Sequence, residues 1–476
     1  MTQQAGAFAA ILAGSWLLFA AAVYVPDVGR GFVKDDFGWV AAGRAAATSP
    51  ADALLPDAPG FYRPAVTFTF AIDYLLHDVR PRGYGFTNLA LYLLCIGAIS
   101  CLSRAVGLSS AAATLAAILW AVNPHGINMA VVWISGRTSL CLTLFAVLAA
   151  IASVRRRYVR TALFVAVALA SKEEAIALPA ILFAWHRLTA RDGPGDRDAR
   201  NGDRRLAAAL VLPLAIYAVV RVRTAAFMPW SAPPYYQFSF APLLVLQNAL
   251  EYADRAATIG VVAVVLAAAV WRLGPSIDRG RGRLLAACAV WTAGAYALTI
   301  FLPIRSSLYA VFPSVGAAIA AAAIVESMMR RAAMRPDSSE ARARVRLAVA
   351  LGAALVAAIP AYRARNGRYV EPARLSERAL HAIDAEMAEA GRRVIVLRDV
   401  DDPMSSFVGA FGTFARDAVR LHSGRDVDVW IEPPPGGWRL AGLRPPRPHE
   451  PQLTFAVERG HVYREGGRES FRGQFP

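Results

Sequence analysis

Residues 8–39 read FAAILAGSWLLFAAAVYVPDVGRGFVKDDFGW. The first part, Phe8 to Val25, is uncharged, and a helix of about 20 apolar residues is what the hydrocarbon core of a bilayer demands. Met1 to Ala7 carry no basic side chain, so the segment reads as a retained first span rather than a cleaved signal peptide. Directly after it come Pro26, two glycines and the adjacent carboxylates Asp35 and Asp36, set between Phe32, Phe37 and Trp39. Aromatic residues of this kind anchor at membrane–water boundaries. The stretch therefore predicts a membrane helix followed by an acid pair at the membrane surface.

The rest of the chain repeats the first half of that pattern. It has 476 residues, 56% of them hydrophobic, with a mean hydropathy of +0.39, too apolar for a soluble protein of this size. Apolar runs lie near 7–26, 84–103, 109–123, 138–153, 161–171, 174–186, 206–221, 258–271, 284–302, 307–327 and 346–362, which predicts about eleven transmembrane helices. The formal net charge of +16 does not point to nucleic acid, because the basic residues gather in short loops between apolar runs. With the N-terminus inside, Arg104, Arg155–Arg157 with Arg160, and the clusters in 187–205, 272–283 and 330–346 all fall on the cytoplasmic side. The expected topology is N-in, C-out. The outer loops are then 27–83, 124–137, the turn at Ser171 to Glu173, 222–257 and the turn from Pro303 to Ser306. Cys95, Cys101, Cys141 and Cys288 lie inside apolar runs with no ligand spacing and read as small buried hydrophobes.

The predicted organisation is a transmembrane domain over 1–362, with interfacial helices in its first outer loop (27–83), and a small outer α/β domain over 363–476. In the latter, 371–390 reads as a helix, Arg393–Arg398 and Asp426–Ile431 as strands, Ser405–Leu421 as a second helix and Gln452–Tyr463 as a hairpin closed at Arg459-Gly460. Pro433-Pro-Pro-Gly-Gly437 and Pro445-Pro-Arg-Pro448 read as loops.

Five stretches on the outer side carry candidate chemistry. Asp35 and Asp36 offer a general base, or ligands for a divalent cation; their plainer reading is a solvated pair or a helix cap. Phe61-Tyr-Arg-Pro64 places Arg63 against the charge bias, and Asp73-Tyr74 and Asn88 follow it. His125 and Arg137 flank Trp133-Ile-Ser-Gly; a histidine at a helix end is otherwise a cap. Ser171-Lys-Glu-Glu174 puts Lys172 between two apolar runs, either as a functional charge or in a turn that pairs it internally. Arg305, followed by Tyr309 and Pro313-Ser-Val-Gly316, offers a bidentate phosphate clamp or a snorkelling guanidinium.

Taken in order, Lys34-Asp-Asp-Phe37, Tyr62-Arg-Pro64 with Asp73-Tyr74 and Thr87-Asn88, Asn123-Pro124 with Trp133-Ile-Ser-Gly-Arg137, Ser171-Lys-Glu173 and Arg305-Ser-Ser-Leu-Tyr309 resemble the integral-membrane GT-C glycosyltransferases. The likeness is to the branch of the protein O-mannosyltransferases and the transmembrane-and-TPR O-mannosyltransferases. It implies an all-α polytopic enzyme, and the Ala- and Arg-rich composition points to a bacterial inner membrane as its place. Such an enzyme transfers a sugar from a polyprenyl-phosphate donor, with inversion, to a glycan, lipid or protein acceptor on the extracytoplasmic face. The resemblance maps the base to Asp35 or Asp36 and the donor-phosphate contact to Arg305, with Tyr309, Arg63, Arg137, His125 and Lys172 as further substrate contacts. The cofactor is left open, a divalent cation held by Asp35 and Asp36 being one reading of the acid pair. The chain departs from the branch where His-Pro and an acid precede Trp-Ile: Asn123-Pro124 and Asn128-Met129 stand there, and no TPR repeats follow. Two alternatives are a glycan polymerase or ligase, which the early acids argue against, and a non-catalytic scaffold or transporter derived from the same fold.

Overall fold

The computed structural model describes residues 2–56, 60–189, 196–228, 230–274, 279–334, 340–390, 394–399, 406–432, 443–458 and 460–465. Each apolar run coincides with a helix. In chain order the helices are α1 (Thr2–Tyr24), α2 (Asp35–Thr48), α3 (Pro50–Leu54), α4 (Pro64–His77), α5 (Pro81–Ala105) and α6 (Ser110–Ala121). Then come α7 (Ile127–Val132), α8 (Arg137–Val154), α9 (Tyr158–Leu169), α10 (Leu178–Thr189), α11 (Asp196–Arg223) and α12 (Pro242–Trp271). The bundle closes with α13 (Arg279–Ala295), α14 (Ser314–Ala333) and α15 (Glu340–Ala390). Among the described residues, 6 helices are long and apolar enough to cross a membrane: α1, α5, α8, α11, α12 and α15. This is a mostly helical membrane protein with a small mixed sheet at its C-terminal end.

The bundle has two chemically distinct ends. At one, Glu326 of α14 is buried and accepts from Arg281, from Arg330 at 3.2 Å and from the Ser109 N–H at 3.0 Å. Three of the loops assigned to one side by their arginines are joined there. At the other end lie the loop after α1 and helices α2 and α4; α4 covers Pro64 to Leu76, whose short apolar run carrying Asp73 reads in the sequence as a re-entrant or interfacial piece.

After the bundle the sequence reading is corrected in two places. The last apolar run and the helix at 371–390 are one element, because α15 continues for 51 residues with Pro360 and Pro372 inside it. Each proline removes one backbone donor but leaves a helical φ, and the Ala- and Arg-rich turns between them are good helix formers. The helix expected over 405–421 is two pieces, α16 (Phe407–Phe411) and α17 (Ala415–Ser423), because the chain turns at Gly412 with φ +52. A glycine adopts that conformation without strain.

The sheet has the order β2-β1-β3-β4, from β1 (Val394–Asp399), β2 (Val429–Glu432), β3 (Gln452–Glu458) and β4 (His461–Arg464). β1 pairs in parallel with β2 and β3, and β3 with β4 forms the expected hairpin, Glu458 opposite His461 and Gly460 at φ +78. Arg393, Ser405, Arg459 and the Pro433–Gly437 loop lie outside the described residues. Among the described residues the sheet shares its core with the bundle. Leu397 and Phe455 of the sheet, with Phe407 and Phe411 of α16, belong to one buried cluster with Phe32, Phe37, Val40, Val66 and Phe70 of the first outer loop. The C-terminal chain thus closes over the acid-bearing turn.

Candidate active site

Between α1 and α2 the chain makes two backbone reversals, at Gly31 (φ +100) and Lys34 (φ +51). The second is held by the Lys34 N–H donating to the Ala410 carbonyl of α16 at 2.8 Å. α2 then starts at Asp35, and the two acids part company. Asp36 is fully buried. Its Oδ1 accepts from the Ser135 N–H at 2.7 Å and hydroxyl at 2.5 Å, and its Oδ2 from the Val33 N–H at 3.0 Å and Arg30 at 3.4 Å. Asp35 is exposed into a cavity and accepts from no other side chain among the described residues. The walls of that cavity displace bulk water around it. This burial, with the charge of Asp36 beside it, raises the Asp35 carboxyl above its ordinary range.

The cavity has a volume of about 670 Å³, in the range of small-molecule sites. Every loop expected on the outer side contributes to it, and Tyr369 of α15 completes the wall. Arg63, Lys172, Arg221 and Arg305 line it against Asp35, Glu173 and Glu174. Arg63 lies over the Phe61 ring at 4.3 Å and grips Glu173 through Nε at 3.0 Å and Nη2 at 2.7 Å. Arg221 approaches the same carboxylate at 3.8 Å. Burial raises Glu173, but Arg63 and Arg221 outweigh it and hold the carboxyl below its usual range.

Lys172 donates to Glu174 at 2.8 Å and to Ser139 at 2.9 Å, and its Nζ sits 5.1 Å from the centre of the Tyr309 ring. Burial lowers its ammonium, and Glu174 only partly restores it. Arg305 is splayed across one face of α12, to Asn248 at 2.8 Å, Glu251 at 3.0 Å and Gln247 at 2.9 Å. A guanidinium has five N–H groups and an ammonium three, so Arg305 and Lys172 each keep donors for a ligand. Tyr236, whose hydroxyl burial pushes up to about 12, faces the same space.

Of the residues singled out in the sequence, Asp35, Arg63, Lys172, Arg305 and Tyr309 therefore meet in one cavity. Three others do not. Asp36 spends its oxygens holding the Ser135 turn. Arg137 is fully buried, donating to Asp73 at 2.5 Å, Asn88 at 3.0 Å and the Tyr84 carbonyl at 3.0 Å, with its guanidinium 4.2 Å from the Phe70 ring centre. It is a bolt through α4, α5 and α8 rather than a substrate contact, since a buried cation must be paired. Asn88 extends the knot to the carbonyls of Ala130, Trp133 and Ile134. His125 sits outside the cavity lining, near Asp254, Arg365, Arg255 and Glu251.

The sequence reading missed Arg30, Ser135, Arg221 and Tyr236. Arg30 and Arg221 carried a usable signal, both being arginines on the side where the charge bias disfavours them. Both oxygens of Asp36 accept from protein donors, so of the pair only Asp35 offers its oxygens to the cavity. Among the described residues no three of His, Cys, Asp and Glu converge.

No protein-family model and no curated protein sequence matches the chain. Among solved structures it is similar to ArnT from Cupriavidus metallidurans bound to undecaprenyl phosphate, with a TM-score of 0.50 and 13% identity over 87% of this chain and 85% of that one. This is the GT-C fold. The Archaeoglobus fulgidus oligosaccharyltransferase is also found, in its apo form (TM-score 0.49) and tethered with an acceptor peptide (0.45). Each is 11% identical over 88% of this chain, covering 64% and 63% of the respective neighbours. Within the GT-C fold of this chain, the cavity lies where the loops at one end of the bundle converge.

Proposed function

We propose that this GT-C chain is a glycosyltransferase that moves a sugar from a polyprenyl-phosphate donor to an acceptor hydroxyl on the outer face of a bacterial inner membrane. The observation that carries the reading is the pairing inside one cavity of a carboxylate without a partner, Asp35, with cations that retain unused donors, Lys172 and Arg305. Asp35 takes the acceptor proton as the acceptor oxygen attacks the anomeric carbon. The bond from that carbon to the donor phosphate breaks, and the phosphate leaves with its electron pair toward Lys172 and Arg305. Charge-assisted hydrogen bonds aimed at a departing phosphate act where charge develops. Attack opposite the leaving group inverts the anomeric centre. The ArnT neighbour is itself bound to undecaprenyl phosphate, which supports a lipid-linked donor. Asn123 donates to the Arg255 carbonyl and Asn128 to Asn366, and neither lines the cavity; the acceptor of this reading is a glycan, a lipid or a protein.

The test is release of polyprenyl phosphate from a labelled polyprenyl-phosphate sugar by the full chain in nanodiscs, with an envelope extract as acceptor. Asp35→Asn should lose at least roughly 100-fold in turnover, the usual scale of a general base, with donor binding kept; Arg305→Gln should weaken donor binding. Full turnover in Asp35→Asn overturns the assignment of the base. A wild-type chain that binds undecaprenyl phosphate but neither binds nor consumes the glycosylated donor favours the scaffold reading.

A further inference from the structure

A second hollow, of about 200 Å³ and almost wholly apolar, lies between α1, α6, α12 and α15. Ile259, Ala263 and Leu266 line it from α12, and Leu355, Ala358 and Tyr362 from α15, each set at helical spacing. One turn further along the same faces stand Arg255 on α12 and Arg365 on α15. His125 follows Pro124, which lines the hollow at the end of α6.

These three basic groups are under-partnered. Nη1 of Arg255 is buried with no hydrogen-bond partner, while its Nη2 pairs with Glu251. Arg365 makes no hydrogen bond or ion pair among the described residues, and neither does the His125 side chain. The three are close enough that both guanidiniums, after burial, depress the His125 imidazole; Asp254 and Glu251 are the acids facing them. A buried guanidinium N–H left unsatisfied is costly unless something else accepts from it. The depth is also informative, because the apolar runs of α12 and α15 end at these residues, the level at which lipid head groups lie.

We propose that the hollow and the basic cluster at its mouth are a site for an anionic phospholipid of the surrounding bilayer. One acyl chain fills the hollow, and the phosphate accepts from Arg255, Arg365 and His125. The site is independent of the transfer reaction and stands or falls separately from it. It does touch the cavity through one group, since Glu251 accepts from both Arg255 and Arg305.

Native mass spectrometry of the full chain, delipidated and re-exposed to phosphatidate or phosphatidylcholine of identical chains, tests this. Wild type should retain phosphatidate preferentially. Arg255→Gln with Arg365→Gln should lower that preference at least roughly tenfold, the scale of losing charged hydrogen bonds. Ala358→Phe, which fills the hollow, should reduce retention of both lipids. Asp35→Asn should leave retention unchanged. Melting curves identify any variant that fails to fold, and His125→Gln then serves as the milder head-group variant with a smaller loss of preference. Equal retention of the two lipids by wild type, or unchanged preference in folded head-group variants, overturns the proposal.

Discussion

At the residue scale, Asp35 and Asp36 show how little a side chain's type says about its task. Both are acids at the start of α2, yet one accepts from Ser135, Val33 and Arg30 and the other faces open cavity. A base must be ionised to act, and burial and Asp36 raise the Asp35 carboxyl above the ordinary value of about 3.9. Turnover should therefore rise with pH along an acid limb centred above that value, and be lost on acidification before an unperturbed aspartate would protonate. A pH profile of kcat/KM checks this; a limb at or below the ordinary value refutes it. Arg137 makes the opposite case. Removing one partner of a buried ion pair costs about 3–5 kcal/mol, so Arg137→Ala should lower the melting temperature markedly in detergent, whereas Arg305→Gln should barely change it.

At the element scale, α2 is held from outside the membrane bundle. A Cβ at Gly38 would come within 2.4 Å of the Phe414 ring, and Phe37 meets Phe411 with ring centres 5.7 Å apart. Overpacking of this kind costs about 1–3 kcal/mol. Gly38→Ala should thus reduce turnover with donor affinity kept, and Phe414→Ala in the same chain should restore it. A Gly38→Ala variant with normal turnover would show that α2 is not fixed by this contact. Elements were legible where their period was clean: the apolar runs, α4 and the β3–β4 hairpin. What misled was punctuation. The change of composition after Tyr362 reads as a helix end, yet α15 runs through it with Pro360 and Pro372 inside, and Gly412 looks like an ordinary residue of one helix but separates α16 from α17. In both cases tertiary packing decided between outcomes that local propensity leaves nearly equal.

At the scale of the whole molecule, loop charge was the most productive signal in the sequence. It sorted the loops into two sets: one set builds the cavity, and three loops of the other meet at Glu326. Of the arginines that the expected topology sets on the outer side or at its edge, Arg30, Arg63, Arg137, Arg221 and Arg305 each engage a specific acid or carbonyl at the cavity end. Which of these face substrate and which lock helices could not be read, because that depends on side-chain direction across distant segments. With the native Cys101, exposed in this fold, replaced by serine, a cysteine at Ser231 should react with a membrane-impermeant maleimide on intact cells. One at Arg331 should react only after permeabilisation, and the reverse pattern would invert the proposed orientation.

The core shared between the first outer loop and the C-terminal sheet also sets an order in time. Phe37 waits for Phe411, which is synthesised roughly 370 residues later. At about 5–20 residues per second that is a delay of roughly 20–75 s. During that interval the Lys34 turn lacks the Ala410 carbonyl that fixes it, so the nascent chain carries its acids without their final alignment. A ribosome that stalls before residue 410 leaves behind an inserted bundle whose Lys34 turn is not yet set.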